Sequence, residues 1–595
     1  MNNKKFKILS ETVESQFLPF VRRPGRYIGG EINQIKKNLV EVDLTVGLCF
    51  PDVYEIGMSH TGLAIIYDIL NGLKDVAAER VFSPWTDAEQ VLREKDIPLF
   101  TLESKAAVKD FDVLAFSLTN ELCYTNMLNI LDLAGVTLRS KDRREDEAII
   151  LAGGGMSNCC EAIAEFVDIF LLGEGEEAIV ELAQLLMEHK RQGSKKKDIL
   201  RDVAEKFNCC YVPSLYEFEY DGDSIKSFRP KVEGLPSRFE NAVVEDFDNA
   251  PVPSGPIVPF VEAVHERVSV EIMRGCPGRC RFCQASFCRR PIRYRSVDRI
   301  VEIAKANYDA TGFDTVSLLS LSSADYPHLE ELTKKLNDYF SPKHVGLSLP
   351  SLRVDKQLKL LPKLVSFVRK GGMTIAVEAA SEKLRTIINK PISDDDLFAA
   401  VEAAYKQGFG RLKLYFMVGF IKETEQDIER IVDLCVEIAN LRGKISGRAA
   451  QINAAVSWLV PKAHTPFAWL GQKRAEYFEK AKAIILTRKR ELRANSVKFK
   501  FHDIERSVLE SAVGRADRRM ADVIEYAFKS GARFDLWNEC FDYQLWQRAF
   551  EKFGFDIERM AQRSFSKEDI LPWEHLGGPT KNYLLEHYNS ALSEA

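Results

Sequence analysis

No uninterrupted apolar run in the chain approaches the roughly 20 residues that a membrane-spanning helix needs. A spanning segment is therefore not expected. The N-terminal stretch MNNKKFKILSETVESQFL has lysines with no long apolar segment behind them, so no secretory signal is expected either, and the expected location is cytoplasmic. An excess of one charge is also missing: 82 Lys and Arg stand against 87 Asp and Glu, a formal net charge of -5. That balance supplies no chain-wide field for a phosphate backbone and leaves an RNA substrate to a local basic patch. Short internal repeats are absent, and with 46% apolar and 28% charged residues the chain reads as a soluble globular protein.

What is present is length and alternation. The 595 residues suffice for several domains, each with its own core. From residue 43 onward short apolar runs alternate with longer helical patterns: the strand LTVGLCFPD, the helix GLAIIYDILNGL, the strand FDVLAFSLTN, the helix MLNILDLAG, then AIILAGGG, VDIFLLGEGE and EEAIVELAQLLMEH. This predicts an α/β, doubly wound, Rossmann-like domain over 43–190, preceded by an extension over 1–42. Residues 191–260 turn charged, Pro-bearing and weakly periodic, as in RQGSKKKD and NAPVPSGPIVPF, and read as a linker or subdomain. A second alternating region, 261–490, offers the strands RVSVEIMRG, TVSLLSLSS, HVGLSLPSLR, MTIAVEAA, RLKLYFMVGF and AAVSWLVPKAHTPF. Six strands with helices between them predict a complete or partial parallel barrel of (β/α)6 type. Residues 491–595 read as helical, with no strand run of comparable quality.

Twelve cysteines without a secretory pattern read as thiols or metal ligands rather than disulfides. Cys49, Cys123, Cys435 and Cys540 are isolated and fit buried small hydrophobes. Only Cys276, Cys280 and Cys283 have ligand spacing, Cys-x-x-x-Cys-x-x-Cys, directly after a predicted strand. Three thiolates bind a [4Fe-4S] cluster through three irons and leave the fourth open, whereas a closed electron-transfer cluster uses four. Cys288 nearby keeps a four-ligand zinc site as the alternative.

This triplet, with the aromatic Phe282 before its third cysteine, resembles the defining motif of the radical SAM superfamily. The resemblance implies that the cluster cleaves S-adenosylmethionine reductively, giving methionine and a 5'-deoxyadenosyl radical that abstracts hydrogen from a substrate. It also implies a one-electron reductant such as flavodoxin or ferredoxin as partner. Phe282 is then expected near the adenine, and Ser320, Ser322 and Ser323 near the methionyl group. Ser348, Ser351 and Arg353 follow the third barrel strand, Glu378 ends the fourth as a candidate for the ribose hydroxyls or the amino group, and Gly419 matches the glycine that lets adenine approach backbone.

A doubly wound domain ahead of such a barrel looks like the cobalamin-binding arrangement of one large subgroup. The strings DVYEIGMSHTGL, SLTNELCYTN, GGGMSN, GEGEE, VEAASEKLR and PKAHTPF closely resemble a family of fused cobalamin-type radical SAM proteins over nearly the whole chain. That resemblance implies cobalamin over the barrel mouth, with Asp52, Tyr54, Gly57, Ser117, Gly154, Gly173 and Gly175 as its contacts, and favours methyl transfer to an unactivated carbon. Cobalamin domains that provide a lower ligand use Asp-x-His-x-x-Gly, but here Tyr54 stands where the imidazole would be, and His60 beyond Gly57 is the substitute candidate. Two rival readings stay open: a cobalamin-free RNA or protein modifier of the methylthiolating kind, against which stands the lack of a second Cys triplet, and a non-catalytic cluster or cobalamin sensor. His464 is a candidate substrate or proton-relay residue, and Arg518 and Arg519 are candidates for a phosphate-bearing substrate.

Overall fold

The computed structural model describes residues 5–349 and 373–594. Runs such as LTVGLCF, apolar on both faces, bury completely only when helices cover both sides of a sheet. Both β1 (Leu44–Phe50) and β2 (Val76–Phe82) are buried at every position. With β3 (Val113–Ser117), β4 (Ile149–Gly153), β5 (Ile169–Leu171) and β6 (Cys210–Tyr211) they form one sheet in the order β2-β1-β3-β4-β5-β6. The first five strands run parallel. The chain therefore turns in opposite directions on leaving β1 and β3, and in such sheets ligands bind beyond the carboxyl ends at that switch point. Charged side chains inside β2 are matched rather than exposed: Arg80 pairs with Glu31 at 2.9 Å and Glu103 at 2.5 Å, which fastens the N-terminal extension to the sheet.

Residues expected to form a linker contribute structure of their own. Antiparallel β6 closes the sheet edge, and β7 (Tyr216–Asp221) with β8 (Ser224–Pro230) makes a hairpin. A strand of two residues carries no readable period, which is why pattern alone missed it.

All six strands expected for the barrel are present. The parallel set β9 (Val268–Glu271), β12 (Thr315–Leu319) and β13 (Gly346–Ser348) lies in the order β13-β12-β9. The parallel set β14 (Met373–Glu378), β15 (Arg411–Val418) and β16 (Gln451–Trp458) continues into β17 (Val497–Phe501). That last strand corrects the expectation of a purely helical C-terminal region: VKFKF alternates, with Lys498 and Lys500 on its exposed face, and its charge disguised it. Between β9 and β12, β10 (Met273–Arg274) pairs antiparallel with β11 (Arg293–Tyr294), so a two-rung ladder clamps the base of the cysteine-bearing loop. One apolar cluster joins the first sheet, the C-terminal helices and β14–β17, while β9, β12 and β13 pack around a core of their own. Among the described residues no helix is long and apolar enough to cross a membrane.

Candidate functional site

Two arginines hold the loop carrying Cys276, Cys280 and Cys283 in shape, Arg290 by donating to its carbonyls and Arg281 by anchoring it to neighbouring helices. Arg290 donates to Ser286 O at 2.9 Å and to both Cys276 O and Gly278 O at 3.2 Å. Arg281 is buried: its backbone N–H meets Ile388 O at 2.9 Å, its guanidinium meets Ile387 O at 2.7 Å and Ser590 Oγ at 2.8 Å, and Glu594 pairs with it at 2.6 Å. Helix Glu382–Ile387 and the C-terminal helix Lys581–Ser593 thus grip the loop from outside. The three thiols are half-buried. Burial pushes the Cys280 thiol up to about 12, with the charge of Lys390 opposing. Among the described residues no three His, Cys, Asp or Glu side chains gather about a point where one ion would sit. The donor set, three thiols on one loop with the charge of Lys390 acting on Cys280, suits an anionic centre that spreads its ligands over several metals.

Beside this loop lies a cavity of about 560 Å³. One wall is the carboxyl edge of the first sheet: Phe116 and Ser117 from β3, Gly153 to Gly155 after β4, Gly173 to Glu176 after β5, and the start of helix Thr61–Gly72. The other wall comes from the barrel: Arg267, Glu271, Met273, Arg274, Gly275, Arg289 and the end of β12. The cavity therefore sits at the switch point of the sheet and against the residue that precedes Cys276. Ion pairs hold the two walls together, because Arg274 reaches Glu271 at 2.8 Å, Glu176 at 2.7 Å and Glu174 at 3.3 Å. Arg293 also pairs with Glu174. Burial opposes the ionised form of Glu174, yet Arg293, Arg274 and the Val244 N–H hold its pKa below the usual carboxylate value.

Several residues expected at the site converge on these two features. Ser117, Gly154, Gly173, Gly175 and Ser320 line the cavity. Ser320 Oγ lies 2.8 Å from Ser323 Oγ, while Ser322 is buried and donates to Asp325 at 2.7 Å. Phe282 packs in one apolar cluster with Ala379 and Phe420, the neighbours of Glu378 and Gly419. Glu378 has a φ of 67°, follows a register shift in β14 and pairs with Lys390 at 3.0 Å. Left-handed backbone at a non-glycine residue is strained and recurs at functional sites. Gly419, at φ 116°, donates its N–H to Glu423 Oε2 at 2.7 Å. Ser348 ends β13, whereas Ser351 and Arg353 lie outside the described residues.

Others are placed elsewhere. Asp52 accepts from its neighbour Val53 N at 2.7 Å and from Trp537 Nε1 at 3.0 Å, and buried Tyr54 donates to Glu31 at 3.0 Å. Gly57 packs its bare Cα on the Phe82 ring, where a Cβ would come within 2.1 Å. None of the three lines the cavity, because the segment after β1 turns back into the N-terminal extension. His60 does line it, but its Nδ1 accepts from Leu63 N at 3.0 Å. Burial, with Arg289 nearby, pushes the imidazole down to about 4, so the ring is neutral and carries its proton on Nε2. In that tautomer neither nitrogen has a lone pair free for a metal.

His464 is buried rather than exposed in a loop, bonds Asn158 O through Nε2 at 2.8 Å and is held neutral, at about 4, by burial. It ties the segment PKAHTPF to the first sheet instead of facing a substrate. Arg518 is likewise taken, pairing with Glu161 at 3.0 Å and covering Phe218. Although burial works against it, the charge of Arg518 and the hydrogen bond from His575 hold Glu161 down at about 2. Arg519 pairs with Asp517 at 2.8 Å and donates to Gly222 O at 2.9 Å, so the two arginines serve internal contacts. Arg267, Arg274 and Arg289 were not expected at the site. Only the arginine flanking the first cysteine offered a hint, since contacts between segments distant in sequence leave no local period.

Two families match the chain. The one described as Radical SAM proteins, N-terminal, matches residues 62–213, and the Radical SAM superfamily matches residues 270–435. The chain is 26% identical over 498 residues to the uncharacterized protein MJ0966 of Methanocaldococcus jannaschii, covering 82% of this chain and 92% of that protein. It is 28% identical over 195 residues to the ribosomal protein uS12 methylthiotransferase RimO of Desulfotalea psychrophila, covering 31% of this chain and 42% of that one. Among solved structures, the cobalamin-dependent S-adenosylmethionine radical enzyme OxsB with aqua-cobalamin bound aligns with a TM-score of 0.49 at 12% identity, over 93% of this chain and 80% of that one.

Proposed function

This chain belongs to the radical SAM superfamily, and from that premise we propose a cobalamin-associated radical enzyme that transfers a methyl group to an unactivated carbon. The observation that carries the reading is the 560 Å³ cavity enclosed between the switch point of the first sheet and the loop of Cys276, Cys280 and Cys283. A planar macrocycle placed there would rest on the sheet's carboxyl edge and face the cysteine loop. The glycines at 153 to 155, 173 and 175 keep side chains out of that edge.

In this reading Cys276, Cys280 and Cys283 hold a [4Fe-4S] cluster. When bound, the cluster supplies the electron that cleaves S-adenosylmethionine. The chain's own residues bind and orient. Phe282 and the backbone at Gly419 take the adenine, Ser320 and Ser322 the methionyl end, and Glu378, paired with Lys390, the ribose hydroxyls or the amino group. Arg274, paired with Glu174 and Glu176, and Arg293, paired with Glu174, hold the two walls of the chamber in place. A one-electron reductant of flavodoxin or ferredoxin type would supply the electron to the cluster.

The test is anaerobic purification with added hydroxocobalamin, followed by reduction with dithionite in the presence of S-adenosylmethionine. Bound corrin absorption, iron near four per chain and 5'-deoxyadenosine formation lost in Cys280→Ala are expected. Iron-free protein, or 5'-deoxyadenosine formed equally by Cys280→Ala, would overturn the cluster assignment, and iron-replete protein without corrin would overturn cobalamin. A second reading, a cobalamin-free modifier of methylthiolating type, is favoured by the partial likeness to RimO. Methylthio rather than methyl incorporation into RNA or protein would establish it.

A further inference from the structure

Most cations around the cavity are neutralised. Arg274 and Arg293 share Glu174, Glu176 and Glu271. Arg289 differs. It lines the 560 Å³ cavity and a smaller neighbouring one of about 140 Å³, and among the described residues no hydrogen bond or carboxylate reaches its guanidinium. Its Nη2 lies over the backbone of Gly155, 3.7 Å from where a Cβ would stand. Among the described residues Arg267, on the same wall, also has no carboxylate pair, and its buried Nε has no partner. A guanidinium that faces a cavity without a carboxylate partner leaves its N–H donors available to an anionic ligand.

Donors approach the same space from the opposite wall. His60, Thr61 and Gly62 line it as the N-cap and first residues of the twelve-residue helix Thr61–Gly72. The first N–H groups of a helix have no intrahelical acceptor, and the helix dipole favours negative charge there. With Nδ1 of His60 occupied by Leu63 N–H, its Nε2–H is a further donor and has no partner among the described residues. His60 and Arg289 line the same cavity, from the first sheet and from the barrel respectively.

We propose that the start of helix Thr61–Gly72, the Nε2–H of His60 and the guanidinium of Arg289 form a binding site for a phosphoryl group of the ligand that fills this cavity. The site rests on the reading of the cavity as a ligand chamber and adds the charge its occupant carries. Donors arriving from a helix end, a ring and a guanidinium suit an oxyanion with several oxygens. Two sources have this chemistry: the phosphodiester in the nucleotide loop of a corrinoid, and a phosphate ester on the substrate.

The experiment uses the iron-reconstituted full chain, Arg289→Gln and His60→Asn, the latter keeping an acceptor for Leu63 N–H so that the helix cap survives. Inorganic phosphate is titrated by calorimetry, and cobalamin and cobinamide, which lacks the nucleotide loop, by visible absorption. Arg289→Gln is expected to bind phosphate about ten- to a hundredfold more weakly than the unmodified chain, as loss of a charge-assisted donor does, and His60→Asn about tenfold more weakly. Weakened cobalamin with unchanged cobinamide identifies the corrinoid phosphate. Unchanged binding of both corrinoids, with phosphate binding lost, identifies the substrate. Phosphate bound equally by all three proteins, or by none, overturns the site. If Arg289→Gln does not fold, His60→Asn alone decides in the same way. Arginine-dependent phosphate binding in a chain that takes up neither corrinoid would sink the cobalamin reading and leave this site standing.

Discussion

Nζ of Lys462 lies 2.8 Å from Oε1 of Glu121, joining the segment after β16 to the segment after β3. Glu510 approaches the same ammonium at 2.6 Å. Burial opposes the charge of Lys462, but the two carboxylates overcome it and hold the pKa above the ordinary lysine value. Glu121 is buried, and its Oε2 has no partner. Removing the ammonium would leave that carboxylate stranded, at a cost of about 3 kcal/mol. Lys462→Met is therefore expected to lower the denaturation midpoint strongly, and Glu121→Gln with Lys462→Met to recover part of the loss. A midpoint shift worth under about 1 kcal/mol for the single variant would show that water, not Lys462, balances Glu121.

Arg290 spans the cysteine loop by donating to Ser286 O, Cys276 O and Gly278 O. It touches no cysteine sulfur in this way, so its role is positioning. Arg290→Ala should keep the fold, since the ladder of β10 and β11 closes the loop independently. Iron retention is expected to fall and iron loss to a chelator to quicken by about tenfold, the range for residues that support metal ligands. Iron retained at the unmodified rate would mean that the loop holds its shape without the guanidinium.

Most strands of the first sheet and of the barrel were legible because their runs are long and apolar, whereas β2, interrupted by Glu79 and Arg80, the two-residue β6 and the lysine-bearing β17 were not, and the cysteine spacing was legible because all three cysteines lie on one loop. The same local reading put Asp52, Tyr54 and Gly57 at the ligand and missed Arg267 and Arg289. The first three sit where the chain after β1 folds back on Glu31 and Trp537, contacts made across large sequence separations. The string PKAHTPF suggested chemistry, but Lys462 bonds Glu121, His464 bonds Asn158 O and Phe467 N bonds Arg281 O. Its distinctive residues fasten the first sheet and the cysteine loop to the barrel. Polar residues at such a junction look catalytic in sequence because both roles require buried hydrogen bonding.

Two glycines that line the cavity should respond differently to a methyl group. Gly154 has a φ of 103°, and a Cβ there would lie 2.6 Å from Leu118 O. Strain and clash together should make Gly154→Ala lose about 2 kcal/mol or more of stability. Gly175 has no left-handed φ, and its Cβ would meet two side-chain methyls, of Ile66 at 3.2 Å and of Leu171 at 3.8 Å. Gly175→Ala is expected to melt within a few degrees of the unmodified chain while weakening corrin uptake, because the new methyl enters the cavity. Equal loss of stability in both variants, read by thermal denaturation, would remove this distinction between backbone need and open space.

Glu423 carries the pH dependence most open to test. Its Oε2 accepts the Gly419 N–H at 2.7 Å and the Tyr477 hydroxyl at 2.6 Å. Burial pushes the carboxyl up to about 7, with those two donors opposing. The folded chain therefore keeps a proton that the unfolded chain has already released between about pH 4.5 and 7. Binding more protons when folded means that stability falls as pH rises through this window, the reverse of a salt-bridged carboxylate. Partial exposure of the side chain limits the effect to about 1–2 kcal/mol. Glu423→Gln is neutral throughout and still accepts from Gly419 and Tyr477, so its stability should not follow the same slope. Denaturant melts at pH 5, 6, 7 and 7.5 are expected to show the unmodified chain losing ground to Glu423→Gln as pH rises. Parallel curves would mean an ordinary carboxylate at Glu423, and the hold on Gly419 at the barrel mouth would then persist unchanged in acid and at neutrality.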